Sequence, residues 1–174
     1  VKCRHNNGRE TARVLANHFQ NNTMIDTIVC LDGTELIGAF MAEFLADTGI
    51  MSINSGKNIS IITPDVNAYG QLVFMDSTLR MIKHMQVLVL AASVTTGQTI
   101  TRAAEAVSYY GGTVRGVAAI FSNVEQTAEG MEIFSIFQKE DLPDYQAYLP
   151  SECPMCRKKM PIDAIVNSFG YSKL

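Results

Sequence analysis

The stretch Val87-Leu-Val-Leu-Ala-Ala-Ser-Val-Thr-Thr-Gly-Gln-Thr-Ile100 decides the fold. Residues 87–90 are aliphatic without a break, which is typical of a strand buried on both faces of a parallel sheet. A polar turn follows, and from Gln98 the apolar residues recur at helical spacing. A strand, a tight turn and a helix start direct free backbone N–H groups and the positive end of a helix dipole at one point. The pattern therefore predicts a phosphate site.

The candidate phosphate-binding residues lie in this turn and in the first turn of the helix. They are Ser93, Thr95, Thr96, Gly97, Gln98 and Thr99. The stretch is not a Walker loop, since the nearest glycine pair of the right spacing, Gly33 and Gly38, is followed by Ala39 and Phe40 rather than by Lys and Ser or Thr. No Gly-x-Gly-x-x-Gly fingerprint of a dinucleotide fold occurs either.

The same stretch resembles the signature of the type I phosphoribosyltransferases. In that family an aliphatic strand ends in two acidic residues, and a Thr-Thr-Gly turn wraps the 5′-phosphate of phosphoribosyl pyrophosphate (PRPP). The spacing here fits without a gap, but Ala91 and Ala92 stand where the acidic pair is expected. The resemblance implies an α/β fold with a mainly parallel sheet, a ligand such as PRPP or a nucleotide, and Mg²⁺ if the protein is active.

Length and composition set the broad class. The 174 residues suit one domain, and we expect a single domain over 1–174. The 14 basic and 17 acidic side chains give a net charge of −3, so the chain lacks the excess of positive charge that favours binding to nucleic acid or to an anionic membrane. No apolar run has membrane-spanning length and no signal peptide is seen. Four cysteines do not make a disulfide scaffold, so we expect a cytoplasmic protein.

Strands and helices alternate along the rest of the chain, which favours an α/β fold with a mainly parallel sheet. A helix is predicted up to Phe19, a second from near Glu35 to Gly49, and a third from Gln98. The predicted strands are 25–31, 59–63, 113–121 and 131–137, with a short one at 71–75, and 125–130 is expected to be a surface turn.

In orotate phosphoribosyltransferases a strand and helix similar to residues 1–19 follow an N-terminal hood. The resemblance therefore implies that most of this hood is absent from the chain.

A second strand–turn–helix unit contains Asp32, Gly33 and Thr34. In the resembled family this turn holds pyrophosphate through backbone N–H groups. The carboxylate of Asp32 is a poor neighbour for pyrophosphate unless Mg²⁺ intervenes. The alternative is that Asp32 only caps the helix that follows. Both turns are expected at the carboxyl ends of parallel strands, where ligands bind to such sheets.

Residues 64–70 correspond to the family's mobile loop, which closes over the active site. In the orotate group this loop bears an arginine and a lysine that neutralise the leaving pyrophosphate. Gly70 is present here, but no basic residue occurs between Thr63 and Tyr69, and the family's lysine falls near Asn67. This departure is independent of the missing acidic pair.

The tail, 150–174, contains Cys153-Pro-Met-Cys156 followed by three basic residues. Two thiolates are half of a zinc site, which Cys3 and His5 could complete if the termini meet. The alternative is a reduced CxxC in a turn. A redox role is less favoured, because the motif is not expected to follow a strand and open a helix as in thioredoxin-like sites. Several bacterial-type orotate phosphoribosyltransferases end with a similar Cys-Pro-Leu-Cys, which narrows the resemblance to the orotate branch and implies pyrimidine nucleotide metabolism.

Three hypotheses follow. The first is a phosphoribosyltransferase-fold protein that binds the 5′-phosphate of PRPP or a nucleotide with little or no transferase activity, so that no catalytic residue is assigned. The second is an active orotate-type transferase, a glycosyltransferase that acts as a homodimer and receives missing groups from a partner subunit. The third is a zinc-stabilised interaction domain without a small-molecule site.

Overall fold

The computed structural model describes residues 4–47, 52–149, 151–167 and 170–174. The helices are α1 (His5–Phe19), α2 (Glu35–Asp47), α3 (Gln98–Tyr109) and the short α4 (Pro154–Arg157). The strands are β1 (Thr27–Cys30), β2 (Ser60–Ile62), β3 (Asp65–Val66), β4 (Leu72–Val73), β5 (Gln86–Val94), β6 (Thr113–Ser122), β7 (Ile133–Gln138), β8 (Ala164–Asn167) and β9 (Gly170–Lys173). The end that had been predicted for α2, at Gly49, lies outside the described residues.

Five strands form the main sheet in the order β2-β1-β5-β6-β7. All four neighbouring pairs are parallel. The predicted α/β fold with a parallel sheet is therefore confirmed. Strand β5 lies at the centre, which explains why 87–90 are aliphatic without a break.

The helices cover both faces of the sheet and create two hydrophobic cores. On one face α1 and α2 pack over the side chains of Leu88 and Leu90. On the other face α3 packs over Val87 and Val89. Because side chains alternate along a strand, β5 contributes to both cores.

Polar contacts at the start of β1 and β5 align the two strands. The backbone N–H of Asp26 donates to the Gln86 carbonyl at 2.8 Å, and the Gln86 N–H donates to the Asp26 carboxylate at 3.0 Å. Lys57 completes the group with an ion pair to Asp26 at 2.7 Å. Burial, the largest single influence, opposes ionisation of Asp26, but the hydrogen bonds from Lys57 and Gln86 outweigh it and lower the pKa of this carboxyl. The alignment places the turns that follow β1 and β5 side by side.

Two boundaries differ from the sequence-based expectation. Strand β5 does not end at Leu90 but continues to Val94, where it still pairs with Ser122 of β6. Ser93 therefore lies in the strand and the turn begins at Thr95. The predicted loop 64–70 contains β3, which pairs antiparallel with β4, so the segment is a small hairpin.

The tail forms a separate unit of structure. Strands β8 and β9 pair antiparallel in a two-stranded sheet that does not join the main one. All of β9 is exposed. Of the helices within the described ranges, none has the length and apolar character needed to cross a bilayer.

Candidate functional site

A small cavity lies where β5 passes into α3. Its lining is Asp32, Ala91 and every residue from Ser93 to Ile100. The cavity has a volume of about 30 Å³, which is too small for a whole nucleotide. All six predicted phosphate-binding residues thus meet at one point, and Asp32 of the second turn joins them.

The backbone of the turn is shaped by Gly97. This glycine directly precedes α3 and has φ 78°, in the left-handed region that other residues adopt only at a cost. As a glycine, this residue has no side chain with which to cap the helix. Since the first N–H groups of a helix have no acceptor within it, the cavity is supplied with free donors and the positive end of the α3 dipole.

The side chains around the turn are available to a ligand. Ser93, Thr95, Gln98 and Thr99 are exposed, and Thr96 is half-buried. Within the described part of the chain, none of their hydroxyl or amide groups is engaged in an internal hydrogen bond. The cavity therefore offers hydroxyl donors in addition to the backbone N–H groups.

The connection between β6 and β7 supports the turn. Asn123 donates its backbone N–H to Val94 at 2.8 Å and its side-chain amide to the Thr95 carbonyl at 3.3 Å. Thr127 is 3% exposed, and its Cα would lie 3.6 Å from a Cβ added at Gly97. The prediction of a plain surface turn at 125–130 missed this role. The position of Asn123 directly after a parallel strand was the signal that could have revealed it.

The second predicted turn is closed by Thr34. Its hydroxyl is 0% exposed and donates to the carbonyls of Leu31 at 2.8 Å and Leu90 at 3.2 Å. Thr34, rather than Asp32, directly precedes α2 and accepts the N–H of Gly38 at 2.8 Å. The Thr34 side chain is thus part of the fold, and this turn can offer a ligand only its backbone and the exposed Asp32.

The two positions of the family's acidic pair lie in β5. Ala91 is 1% exposed and packs in the core beneath α3, whereas Ala92 is half-buried. Neither methyl group can accept a hydrogen bond from a ribose hydroxyl. The cavity therefore lacks side-chain acceptors at these two positions.

The predicted mobile-loop residues form the tip of the β3–β4 hairpin. The Asn67 side chain accepts the N–H groups of Tyr69 and Gln71, both at 3.0 Å, and donates to the Gln71 side chain at 2.9 Å. Tyr69 is 90% exposed, and Gly70 has φ 75°. Asn67 is thus a turn-forming residue, and the hairpin tip does not contribute to the lining of the cavity.

The zinc prediction is not supported. Over residues 4–47, 52–149, 151–167 and 170–174, no group of three or more His, Cys, Asp or Glu side chains could hold a metal ion. Cys3, one of the four predicted ligands, lies outside the described residues. His5 packs its ring against Phe40 with centroids 5.2 Å apart.

Cys30 is an inert core residue. It is fully buried in β1, and burial raises the pKa of its thiol to about 12. A thiol with this pKa carries almost no thiolate at neutral pH and is not a nucleophile.

Part of the chain is similar in sequence to a known phosphoribosyltransferase. Orotate phosphoribosyltransferase of Chlorobaculum parvum is 35% identical over 80 residues, which are 45% of this chain and 39% of that protein. No protein-family model matches the chain.

Solved structures give the same fold. Mycobacterium tuberculosis orotate phosphoribosyltransferase in complex with PRPP superposes with a TM-score of 0.58 at 19% identity, over 81% of this chain and 78% of that one. A hypoxanthine phosphoribosyltransferase of Staphylococcus aureus gives 0.52 at 16% identity, over 82% and 74%. The predicted resemblance is confirmed: the chain has the fold of the type I phosphoribosyltransferases, and over 80 residues its sequence is similar to that of an orotate phosphoribosyltransferase.

Proposed function

We propose that the chain binds the 5′-phosphate of a nucleotide or of PRPP and has little or no phosphoribosyltransferase activity. One observation carries the proposal: the turn predicted to bind phosphate lines a cavity at the start of α3, and Ala91 lies in the wall of that cavity where the resembled family has an acid. Binding and catalysis depend on different parts of the site, and only the first part is present.

Phosphate binding follows from the chemistry of the turn. Backbone N–H groups at the start of α3 would donate to the phosphate oxygens, and the helix dipole adds a favourable interaction. The hydroxyls of Thr95, Thr96 and Thr99 would complete the shell. Charge-assisted hydrogen bonds of this kind are worth about 1.5–3 kcal/mol each.

Transfer of the phosphoribosyl group needs more than a bound phosphate. The ribose develops positive charge while pyrophosphate leaves, so the ribose hydroxyls must be held and the leaving group neutralised. Ala91 and Ala92 offer no acceptors, and the segment from Thr63 to Tyr69 has no cation. Losing one well-placed electrostatic contact commonly costs about 10²–10³ in rate, and losing both sets should cost more.

The residues around the cavity fit Mg²⁺ only in part. Mg²⁺ is usually held by one or two carboxylates together with phosphate oxygens of the ligand. Asp32 is the one carboxylate among the described residues that line the cavity, so it would hold the ion together with the ligand. The ion would neutralise charge on the diphosphate. Glu35, in the first turn of α2, adds a second negative charge near this turn. We therefore expect a monophosphate to bind more readily than a diphosphate when Mg²⁺ is absent.

A ligand panel followed by thermal unfolding tests the proposal. Ribose 5-phosphate, uridine monophosphate and PRPP should each raise the melting temperature at millimolar concentration, because they bind only the folded state. Ribose and uridine, which lack the phosphate, are the matched controls and should leave it unchanged. If no phosphorylated ligand shifts the transition, the proposed binding function is wrong.

The second candidate is an active orotate-type transferase that works as a homodimer. The similarity to the Chlorobaculum enzyme favours it. A partner copy could lend residues to the site, but it cannot supply a basic residue between 63 and 69, since every copy has the same sequence. Pyrophosphate release from PRPP with orotate and Mg²⁺ would favour this candidate over the first.

A further inference from the structure

The CxxC motif of the tail opens a helix, contrary to the sequence-based expectation. Cys153 directly precedes α4, and Pro154 occupies its first position. The Cys153 Sγ accepts the backbone N–H of Cys156 at 3.4 Å. Cys153 therefore lies at the start of one helical turn and Cys156 at its third residue, which is the placement of the two cysteines in CxxC motifs that exchange disulfides.

Both thiols can be reached by a reagent. Cys156 is exposed and Cys153 is partly exposed, in contrast to the buried Cys30. Neither belongs to the cavity at α3, so the phosphate-binding proposal leaves them without a role.

The two thiols differ in acidity. The backbone N–H of Cys156 is the main cause that lowers the pKa of Cys153, with further contributions from the Cys156 thiol and from the positive charge of Arg157. The hydrogen bond to Cys153 and the negative charge on it raise the pKa of Cys156. The backbone N–H group that Cys153 accepts favours the thiolate form of Cys153. A low-pKa thiol beside a second one has the properties of an attacking and a resolving cysteine.

We propose that Cys153 and Cys156 form a site of thiol–disulfide exchange that acts on small disulfides such as oxidised glutathione. The Cys153 thiolate attacks one sulfur of the disulfide, a mixed disulfide forms, and the first glutathione leaves as a thiolate that takes up a proton. Cys156 then loses its proton and attacks the Cys153 sulfur, and the second glutathione leaves. The protein dithiol is oxidised by two electrons and the small disulfide is reduced to two thiols.

Single serine variants in the full chain test this order of events. Cys3→Ser is used as the background, so that the tail carries the accessible thiols under study. After treatment with oxidised glutathione, mass spectrometry should find a Cys153–Cys156 disulfide in this background. Cys156→Ser should accumulate the mixed disulfide at Cys153, and Cys153→Ser should form its adduct several-fold more slowly. Serine keeps an oxygen that can accept the hydrogen bond at the start of α4.

The rate of alkylation of each thiol by iodoacetamide, measured as a function of pH, gives an independent test. The inflection for Cys153 should lie below that for Cys156, and an unchanged thermal transition shows that each variant is folded. Equal rates and equal inflections for the two thiols would overturn the proposal, as would the absence of an internal disulfide. Protein that is purified with one zinc per chain and reacts only after chelation would also overturn it, in favour of a metal site.

Discussion

The two strand–turn–helix units of this protein follow the same local pattern and have different properties. After β1, the Thr34 hydroxyl is buried and bonded to the carbonyls of Leu31 and Leu90. After β5, Gly97 has no side chain with which to cap α3, and among the described residues the hydroxyls of the turn have no internal hydrogen-bond partner. The first turn is therefore satisfied by the fold, while the donors of the second turn are available for the ligand that we propose. The local sequence pattern finds both turns, and their hydrogen bonding distinguishes them.

The two units are also joined. The Leu90 carbonyl accepts both the Leu31 N–H at 2.8 Å and the Thr34 hydroxyl at 3.2 Å. Strand β5 thus anchors the first turn with the residue that immediately precedes Ala91. Changes at the family's acidic positions therefore act on the core and on the neighbouring turn as well as on the ligand.

The largest effect is expected from Ala91→Asp. Ala91 belongs to the core beneath α3 and reaches the cavity wall with only 1% of its surface exposed, so a carboxylate there would be largely removed from water, which should cost about 2–5 kcal/mol of unfolding free energy. Burial raises the pKa of such a carboxyl, so the penalty is full at neutral pH and shrinks as the pH falls through the raised pKa. Urea unfolding at pH 7 and pH 5 measures the loss of unfolding free energy and its dependence on pH. Ala92→Asp, at a half-buried position, is the control and should cost clearly less; equal costs would contradict the description of Ala91 as core.

Two threonine variants separate the closed turn from the open one. Thr34→Val keeps the shape but removes a buried donor, and it should lower the unfolding free energy by about 1–3 kcal/mol without abolishing the ligand-induced thermal shift. Thr95→Val should do the opposite, with little change in stability and a smaller shift by ribose 5-phosphate. If Thr95→Val is less stable than Thr34→Val, the description of the first turn as closed and the second as open is wrong.

Gly97→Val tests the shape of the open turn. A β-branched residue at φ 78° should cost about 1–2 kcal/mol and abolish the response to phosphate, because the backbone N–H groups would no longer converge on it. Gly56→Val is the matched control, since Gly56 has φ 71° and lies away from the cavity. Both variants should lose similar stability, but only Gly97→Val should lose the ligand-induced shift. A retained shift would show that the phosphate binds elsewhere.

The smallest effect is expected from Asp32→Asn, which removes one negative charge from the cavity wall. Without Mg²⁺ the variant should bind PRPP a few-fold more tightly, because a repulsion of about 1 kcal/mol or less between partly solvated charges is relieved. Isothermal titration with and without Mg²⁺ gives the measurement. Tighter binding by the unmodified protein under both conditions would show that Asp32 helps to bind the ligand.

The sequence was sufficient to predict the order of strands and helices, because β-branched runs and helical spacing are local signals. It also placed the six predicted phosphate-binding residues around one turn, and all six line the same cavity. The end of β5 was missed, since Ala91, Ala92 and Ser93 have no strong strand preference and are held in the strand by pairing with β6. The support from Asn123 and the closure by Thr34 were missed because both are contacts with other elements.

Two corrections have a similar origin. The sequence places the family's lysine near Asn67, but Asn67 holds the hairpin tip together. The exposed Tyr69 is the better position for a lysine. The CxxC motif was not expected to begin a helix, and the four residues of α4 are too short for helical periodicity to detect.

We propose that this protein binds the 5′-phosphate of PRPP and does not transfer its phosphoribosyl group. ³¹P NMR of PRPP tests both parts of this proposal in one experiment. The sample contains the unmodified protein, PRPP, orotate and Mg²⁺, with a protein-free sample to correct for spontaneous hydrolysis. We predict that the 5′-phosphate resonance broadens or shifts with protein concentration, while no pyrophosphate resonance appears beyond that of the protein-free sample. Pyrophosphate that accumulates in proportion to protein, or a 5′-phosphate resonance that does not change, would contradict the account.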